Sequence, residues 1–390
     1  MKILMVAPEP FFQPRGTPFS VFHRTKALSK FGYKIDILTY HVGQDVRIPN
    51  TRIIRNRKVP FIRKIKLGPS IKKIIVDFFL FMKGFSLLKK GNYNYIHVHE
   101  EAGFLGIFYK KFTGLPMIYD MHSSIPEQMV NFNFSTRPAA IKIMTWVEKK
   151  IIQNADVVIG ICPNLAETVH SIDPPKKTYV IENTPMVEDL KRVSETERKK
   201  FKKTWGLKGV KVILYTGTLE IYQGIELMID SVPYVVKKYP DVKFVLVGGS
   251  PPQIEKLKKM VKAKNVEDSV VITGQRPFEE MSKFMAVADI LLSPRQIGTN
   301  TPLKIYSYLK SGKPIVATNL LTHTQVLNDE VSVLTDPSPE AFGSGILKLL
   351  KNPSMGKRLG TAGRSLMKKD YSYEKYLEKT KAVYEYIENT

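Results

Sequence analysis

The sequence predicts an α/β protein with two doubly wound Rossmann-like domains, and three observations carry this prediction. Short, nearly continuous apolar runs alternate with segments of helical length over the 390 residues, as is typical of parallel strands covered on both faces. The strand–helix–strand order repeats, which implies right-handed crossovers. A polar, highly charged stretch at 188–203 divides the strands into two series, and the length suits two domains.

Each domain is expected to contain six strands. The first series is Ile3–Ala7, Lys34–Thr39, Tyr95–His99, Met117–Asp120, Val157–Cys162 and Tyr179–Glu182. The second series is Lys211–Thr216, Lys243–Val247, Val270–Thr273, Ile290–Ser293, Ile315–Thr318 and Val331–Leu334. We place the domains at 1–187 and 188–370, followed at 371–390 by a C-terminal helix whose apolar residues share one face.

The composition indicates a basic protein with an anionic partner. Lys and Arg number 60 against 36 Asp and Glu, a formal net charge of +24, which favours nucleic acid, anionic lipid or a phosphorylated substrate. The single cysteine, Cys162, excludes an intramolecular disulfide and a cysteine metal cluster, and it fits a reducing compartment. The first residues do not resemble a signal peptide, and no apolar stretch reaches the length of a spanning helix.

Much of the excess charge lies in residues 51–90, which contain 12 basic residues and one acidic residue. These basic residues alternate with Ile, Phe and Leu, a combination that can lie on an anionic membrane. The alternatives are a solvated face over an ordinary core-packing helix, and nucleic-acid binding. Nucleic-acid binding would usually bring exposed stacking aromatics or a reading motif, and neither is evident. We therefore expect an anionic membrane surface as a partner, and no nucleic acid.

Four residues of the first domain are candidates for function. His97 and His99 flank Val98 at a strand end, as a metal pair or as a satisfied polar site. His122 also follows a strand, where ligands of open α/β sheets bind, although a structural role stays open. Gly16 precedes the first helix and suits an anion at its N-terminus. A pair of carboxylates in the pattern Asp-x-Asp could hold a divalent metal ion, but none of the 14 aspartates forms one. We therefore expect no metal ion, and we also expect no other cofactor.

The second domain contains the most specific stretch, SPRQIGTNTPLKIYSYLKSGKPIVAT at 293–318. Thr299, Asn300 and Thr301 offer amides and hydroxyls at the start of a helix expected from about Pro302. Lys304 adds a cation in the first turn, which opposes the helix dipole unless it neutralises a bound phosphate; a solvent-facing lysine is the alternative. Gly217 ends the first strand of this domain, as a phosphate-side position or a plain turn.

In their order, several motifs make the chain resemble the retaining glycosyltransferases of family 4. They are KILMVAPEP, IHVHE, YDMHSS, IEN, YTGTLEIYQG, ADILLSP and PLKIYSYLKSGKPIVAT. The resemblance implies a GT-B-type fold with two domains facing a cleft, a nucleotide-sugar donor bound mostly by the C-terminal domain and an acceptor on the N-terminal domain. It also implies that the final helix returns to the N-terminal domain.

The resemblance assigns roles to individual positions. His122 would lie beside the donor sugar as the catalytic residue. The Gly16 loop would approach the donor diphosphate, and the loop from Thr299 to Leu303 would present amides to it. The departing phosphate would take the proton of the acceptor hydroxyl, so no enzymic nucleophile is required.

The chain departs from the family pattern at acidic and basic positions. The two glutamates of E-x7-E fall at Thr299 and Ser307, and Ser307 would substitute for the residue that holds the ribose. An Arg and a Lys that neutralise the diphosphate are replaced by Thr218 and Gln223. We hypothesise that Lys304 and Arg295 take over their role.

The function expected from these observations is transfer of a hexose from a nucleotide sugar to a lipid-linked or cell-surface saccharide. The enzyme would be cytoplasmic and peripherally associated with the inner face of the cell membrane. Two alternatives stay open: a non-catalytic binding protein of this fold, and a nucleotide-sugar epimerase or phosphorylase of the same architecture.

Overall fold

The computed structural model describes residues 1–12, 16–60, 62, 65, 70–131, 137–184 and 193–390. The chain divides into two compact units, Met1–Asn183 with Tyr376–Thr390, and Thr184–Lys375. Each unit is built around one parallel β-sheet, so the predicted fold class is confirmed. Within the described residues, no helix combines the length and the apolar character needed to cross a bilayer.

The first unit contains a seven-stranded sheet in the order β3-β2-β1-β4-β5-β6-β7. Its strands are β1 Lys2–Ala7, β2 Lys34–Thr39, β3 Thr51–Arg55, β4 Tyr95–His99, β5 Met117–Met121, β6 Val157–Gly160 and β7 Thr178–Val180. Its helices are α1 Gly16–Lys30, α2 Ile71–Lys90, α3 Ala102–Thr113, α4 Ile125–Asn131, α5 Pro138–Asn154 and α6 Pro163–Ile172, together with most of the C-terminal helix α15, Tyr373–Glu388.

Helices α2, α3, α5 and α6 cover one face of this sheet, because their buried side chains share one hydrophobic core with alternate residues of the central strands. Helices α1 and α15 contact each other, since Arg24 Nη1 donates to Thr380 Oγ1 at 2.9 Å. Both helices also reach the strands: Arg24 bonds to Asp120 of β5, and Tyr384 bonds to His97 of β4. These contacts position the polar residues described below.

The second unit contains six parallel strands in the order β10-β9-β8-β11-β12-β13. They are β8 Lys211–Thr216, β9 Val242–Val247, β10 Val270–Gly274, β11 Ile290–Ser293, β12 Ile315–Thr318 and β13 Val333–Thr335. The helices are α7 Glu195–Thr204, α8 Ile225–Val236, α9 Pro251–Ala263, α10 Met281–Val287, α11 Lys304–Ser311, α12 Leu321–Thr324, α13 Pro339–Lys351 and α14 Pro353–Asp370. Separate hydrophobic cores form from alternate strand residues.

Several expectations about the elements were wrong in detail. Strand β7 is Thr178–Val180 rather than Tyr179–Glu182, and β13 is Val333–Thr335 rather than Val331–Leu334. Strand β3 was not expected, because its short sequence TRIIR is an edge strand without a continuous buried run. Strand β6 ends at Gly160 rather than Cys162, since Cys162 already occupies the N-cap position of α6, ahead of Pro163. Helix α11 begins at Lys304 rather than near Pro302, so Thr299–Leu303 form a longer loop.

Candidate active site

Polar side chains gather at the carboxyl ends of β4 and β5 in the first unit. His99 and Asp120 are register partners on the two strands, and His97 lies two residues before His99 on the same face. His122 follows β5 directly, and all four side chains are almost fully buried. We call these four residues and Arg24 the β4–β5 cluster.

A buried ion pair lies at the centre of the β4–β5 cluster. Arg24 Nε of α1 donates to Asp120 Oδ2 at 3.0 Å, and both side chains are at most 2% exposed. Burial alone would raise the pKa of Asp120, but the Arg24 guanidinium, together with the hydrogen bond from His97, outweighs it and holds that pKa well below its usual range. Asp120 is therefore an anion inside the fold.

The three histidines surround this carboxylate in the neutral form. Nε2 of His97 lies 3.3 Å from Asp120 Oδ2, and Nε2 of His122 lies 3.4 Å from Oδ1. His99 Nδ1 lies 3.1 Å from His122 Nε2. Burial lowers the pKa of each histidine, although Asp120 opposes this effect. His122 is therefore held in one orientation as a neutral imidazole.

The same cluster offers a possible ligand set for a metal, because atoms of His97, His99 and Asp120 lie within 4.8 Å of one another. However, Asp120 Oδ2 already accepts a hydrogen bond from the buried Arg24 cation. A divalent ion would place further positive charge beside that guanidinium at low dielectric. The Arg24 cation thus argues against a divalent ion on this carboxylate, although His99 Nε2 and Asp120 Oδ1 have no hydrogen-bond partner among the described residues.

Sequence reasoning missed several members of this network. Arg24, Asp120 and Tyr384 were not singled out, yet the Tyr384 hydroxyl lies 2.6 Å from His97 Nδ1. It also missed Glu148 of α5, which accepts from Ser124 Oγ at 3.1 Å and from the Ile125 amide at 2.6 Å. Burial raises the pKa of Glu148 to about 7. These bonds fix the loop that bears His122.

A second polar group, here called the β8 cluster, lies in the second unit. It comprises Tyr215 and Gly217 at the end of β8, Gln223, Arg295 and Lys304. Gly217 adopts φ of +144°, which favours glycine, and a Cβ added there would lie 3.0 Å from Lys304 Nζ. Lys304 thus points towards the end of β8, which argues against the solvent-facing alternative.

The contacts of the Lys304 ammonium are with neutral groups. Its Nζ donates to Gln223 Oε1 at 3.1 Å and lies 3.8 Å from the centre of the Tyr215 ring. Among the described residues, no carboxylate pairs with it. Burial lowers the pKa of Lys304 well below its ordinary value, and the nearby Arg295 lowers it further. An ammonium in this position is stabilised by an anion.

The loop between β11 and α11 is held by its carbonyl oxygens. Thr299 O accepts from Gln325 Nε2 at 2.6 Å, and Asn300 O accepts from Thr322 Oγ1 at 2.8 Å. Arg295 Nη1 also donates to Asn300 O at 3.2 Å. Because C=O and the following N–H point in opposite directions across a trans peptide, the amides of Asn300 and Thr301 are turned away from these partners.

The structure groups some of the predicted residues and leaves others apart. Gln223 and Lys304 meet beside Gly217, and Arg295 is near enough to lower the pKa of Lys304. The Thr218 carbonyl accepts from the Tyr215 hydroxyl at 2.7 Å. Thr301 is buried, Leu303 is exposed, and Ser307 is half-buried one turn along α11. Gly16 begins α1 with φ of +54° and is exposed. Gly16 and His122 belong to the first unit, and the others to the second.

Comparison with known proteins agrees with this architecture. Residues 14–184 match the family described as Glycosyltransferase Family 4, and residues 197–366 match Glycosyl transferases group 1. The chain belongs to the GT-B glycosyltransferases. Its two matched regions together account for most of the two units, and the resemblance to family 4 is confirmed.

Individual relatives are distant but cover most of the chain. A phosphatidyl-myo-inositol mannosyltransferase from Propionibacterium freudenreichii is 23% identical over 343 residues, 85% of this chain and 80% of that protein. The structure of a sucrose-phosphate synthase from Thermosynechococcus elongatus superposes with a TM-score of 0.82 at 20% identity, covering 99% and 98% of the two chains. Anabaena HepE in complex with UDP gives 0.78 at 16% identity, covering 100% of both chains.

The Arg24–Asp120 pair predicts a large loss of stability on substitution of Arg24. Arg24→Met leaves the Asp120 carboxylate buried without its main partner, so the free energy of unfolding of the first unit should fall by about 3–5 kcal/mol. Urea unfolding, followed by a probe in that unit, measures this change. Arg52→Met is the matched control, because Arg52 also pairs with an aspartate, Asp36, but its side chain is 64% exposed. The free energy of unfolding of Arg52→Met should fall by less than about 1 kcal/mol. Equal losses for the two variants would contradict the assignment.

Proposed function

We propose that this glycosyltransferase transfers a hexose, with retention of configuration, from a nucleotide-diphosphate sugar to a lipid-linked or cell-surface saccharide. The observation that carries the proposal is the Lys304 ammonium, half-buried at the end of β8 and bonded only to neutral groups among the described residues. A donor diphosphate would supply the missing negative charge. The transferase activity itself follows from the family.

The β8 cluster has the composition expected of a diphosphate site. Lys304 and Arg295 are close enough for Arg295 to lower the pKa of Lys304, so an anion between them would relieve their repulsion. Charge-assisted hydrogen bonds to phosphate are roughly twice as strong as neutral ones. Gly217 leaves room for a close approach of the ligand, and the amides of Asn300 and Thr301 add neutral donors, as at other phosphate sites near helix N-termini.

The substituted family positions fit this account. Gln223 cannot neutralise a phosphate, but its Oε1 accepts from Lys304 and would therefore orient the cation that does. Thr218 contributes its backbone carbonyl to the Tyr215 hydroxyl. The Ser307 hydroxyl would form one hydrogen bond with the ribose, at the position where the family pattern has a glutamate. With two cations available from the chain, the proposal requires no metal ion.

In the proposed reaction the acceptor hydroxyl attacks the anomeric carbon on the face that the diphosphate leaves. The bond from that carbon to the diphosphate oxygen breaks, a bond to the acceptor oxygen forms, and the hydroxyl proton passes to the departing phosphate. Lys304 and Arg295 would stabilise the charge that develops on the leaving group. Neutral His122, fixed by His99, would position the donor sugar, and Gly16 would lie near the diphosphate.

The nature of donor and acceptor is supported by the relatives' names. HepE has been crystallised with UDP and with UDP-glucose, and the Propionibacterium relative is named for a phosphatidylinositol acceptor. For this chain, a nucleotide-diphosphate hexose and a lipid-linked acceptor at the inner membrane face remain our proposal. Residues 51–90 would contact anionic lipid; 61, 63–64 and 66–69 of this segment lie outside the described residues.

Removal of the Lys304 cation tests the assignment directly. Lys304→Ala should raise the donor KM and lower kcat by at least about tenfold, or about 1.4 kcal/mol, because the leaving diphosphate loses a charged partner. Steady-state transfer from the donor to a saccharide acceptor measures both constants. Lys262→Ala removes an exposed lysine of α9 and should leave both constants unchanged. Unchanged constants in Lys304→Ala would remove Lys304 from the mechanism.

The lowered pKa of Lys304 also predicts a pH dependence of donor binding. Bound diphosphate favours the charged form of Lys304. Donor binding therefore takes up a proton when the pH exceeds the pKa that Lys304 has in the ligand-free protein. The affinity for a nucleotide sugar should therefore fall as the pH rises through this lowered pKa, by up to tenfold per pH unit. Titration calorimetry in buffers of different ionisation enthalpy measures the proton uptake. Lys304→Arg, which stays charged, should abolish it; the same uptake in this variant would assign the proton to another group.

A further inference from the structure

Three helices of the first unit form one continuous layer over the sheet. Helices α2, α3 and α5 bury their inner sides in the same hydrophobic core. Gly84 allows α2 to approach α3 closely, since a Cβ there would lie 2.2 Å from the Tyr109 hydroxyl oxygen. That hydroxyl donates to Phe81 O at 3.0 Å. Gly103 of α3 similarly faces Ile151 of α5.

The outer side of this layer exposes large apolar side chains at helical spacing. On α2, Ile74, Phe78 and Met82 recur every four residues and are 52–66% exposed. Phe108 and Phe112 repeat this spacing on α3, and Trp146 of α5 is 54% exposed. Exposing this much apolar surface to water is energetically unfavourable. A cluster of such side chains on one face is typical of an interaction site.

Aromatic contacts join α2 and α3 into one surface. The Phe81 ring lies 5.8 Å from the Phe108 ring, and the Phe85 ring lies 5.0 Å from the Phe112 ring. Lys89 Nζ lies 5.7 Å from the Phe112 ring centre, so a cation borders the apolar row. The exposed residues of α2 and α3 therefore form a single patch.

The charge of the three helices has one sign at the surface. They contain ten lysines and only two carboxyl groups, Asp77 and Glu148. Both carboxyl groups are turned inwards: Tyr40 donates to Asp77, and Ser124 to Glu148. The exposed charged residues of α2, α3 and α5 are all lysines, namely Lys72, Lys83, Lys89, Lys90, Lys111, Lys142 and Lys149.

We propose that the outer face of α2, α3 and α5 docks on an anionic lipid bilayer, with its apolar side chains inserted at the level of the headgroups and its lysines on the lipid phosphates. This inference extends the proposed membrane contact of residues 51–90 to two helices outside that segment, and it rests on the proposed function. An anionic bilayer accommodates both the apolar side chains and the lysines of this face. The aliphatic part of a lysine side chain lies along apolar groups, while its ammonium group reaches the lipid phosphates. Nucleic acid would leave Ile74 and Met82 without partners.

Trp146 provides a specific reporter, because the chain has only two tryptophans and Trp205 lies in the second unit. In the Trp205→Phe variant all tryptophan emission comes from α5. Vesicles of phosphatidylglycerol and phosphatidylcholine should shift this emission to the blue, and brominated acyl chains should quench it. Vesicles of phosphatidylcholine alone should give a much smaller shift, and single-stranded DNA should give none.

Substitutions on α3 test the extension beyond residues 51–90. The double variant Phe108→Ser with Phe112→Ser should lower partitioning into anionic vesicles at least tenfold in a co-sedimentation assay. Tyr234→Ser, which alters an exposed ring of the second unit, is the matched control and should bind normally. Circular dichroism and thermal unfolding of both variants verify that they fold.

Each result has a defined meaning. Vesicle binding without a Trp146 shift, and without loss in the α3 variant, would overturn the three-helix face while leaving the contact of residues 51–90 intact. An equal shift with single-stranded DNA would overturn the choice of lipid. Absence of vesicle binding would overturn both membrane proposals. Donor binding, measured without vesicles, reports separately on the proposed transferase site.

Discussion

A charge buried in a protein must be balanced, and the two units of this glycosyltransferase meet that requirement in different ways. In the first unit, Asp120 is paired with Arg24 inside the fold. In the second unit, Lys304 makes its polar contact with a neutral amide, Gln223. In the first arrangement the chain itself supplies the cation that neutralises the carboxylate. The second has no charged partner among the described residues, and for this reason we propose that the donor diphosphate binds there.

The Arg24–Asp120 pair connects elements that are distant in the sequence. Arg24 belongs to α1 and Asp120 to β5, while Thr380 and Tyr384 of α15 reach Arg24 and His97. Loss of any member leaves a buried polar group without its partner, which costs more than the bond contributes. The orientation of His122 therefore depends on the C-terminal helix, although His122 lies more than 250 residues before it.

Most strands could be predicted from the sequence, because a strand buried on both faces must be apolar throughout. The same reasoning failed for β3, whose edge position leaves its side chains partly exposed. The end of β6 and the start of α11 were misplaced, since capping depends on local geometry that the apolar pattern does not record. Arg24 carried a usable signal: it lies between Val21 and Leu28 on the buried side of α1, where an arginine requires a buried partner.

Lys304 was identified from the conflict between its charge and the helix dipole, but its contact with Tyr215 needed the fold. The exposed face of α3 and α5 could not be foreseen, since Phe108, Phe112 and Trp146 have the spacing of core residues. Charge counts located residues 51–90 because lysines rarely lie inside a protein. An apolar residue in a helix can be buried or exposed, and only the packed structure shows which of the two applies.

The account depends most on the claim that a nucleotide diphosphate compensates the Lys304 cation. The most direct measurement is thermal unfolding of the protein with a panel of nucleotide diphosphates and nucleotide sugars, in the presence of EDTA. A ligand at 100 times its Kd adds about 2.7 kcal/mol to the stability of the folded state, so one nucleotide should raise the Tm of wild-type protein and not that of Lys304→Ala. An absence of any shift in the wild-type protein, or an equal shift in the variant, would contradict the account.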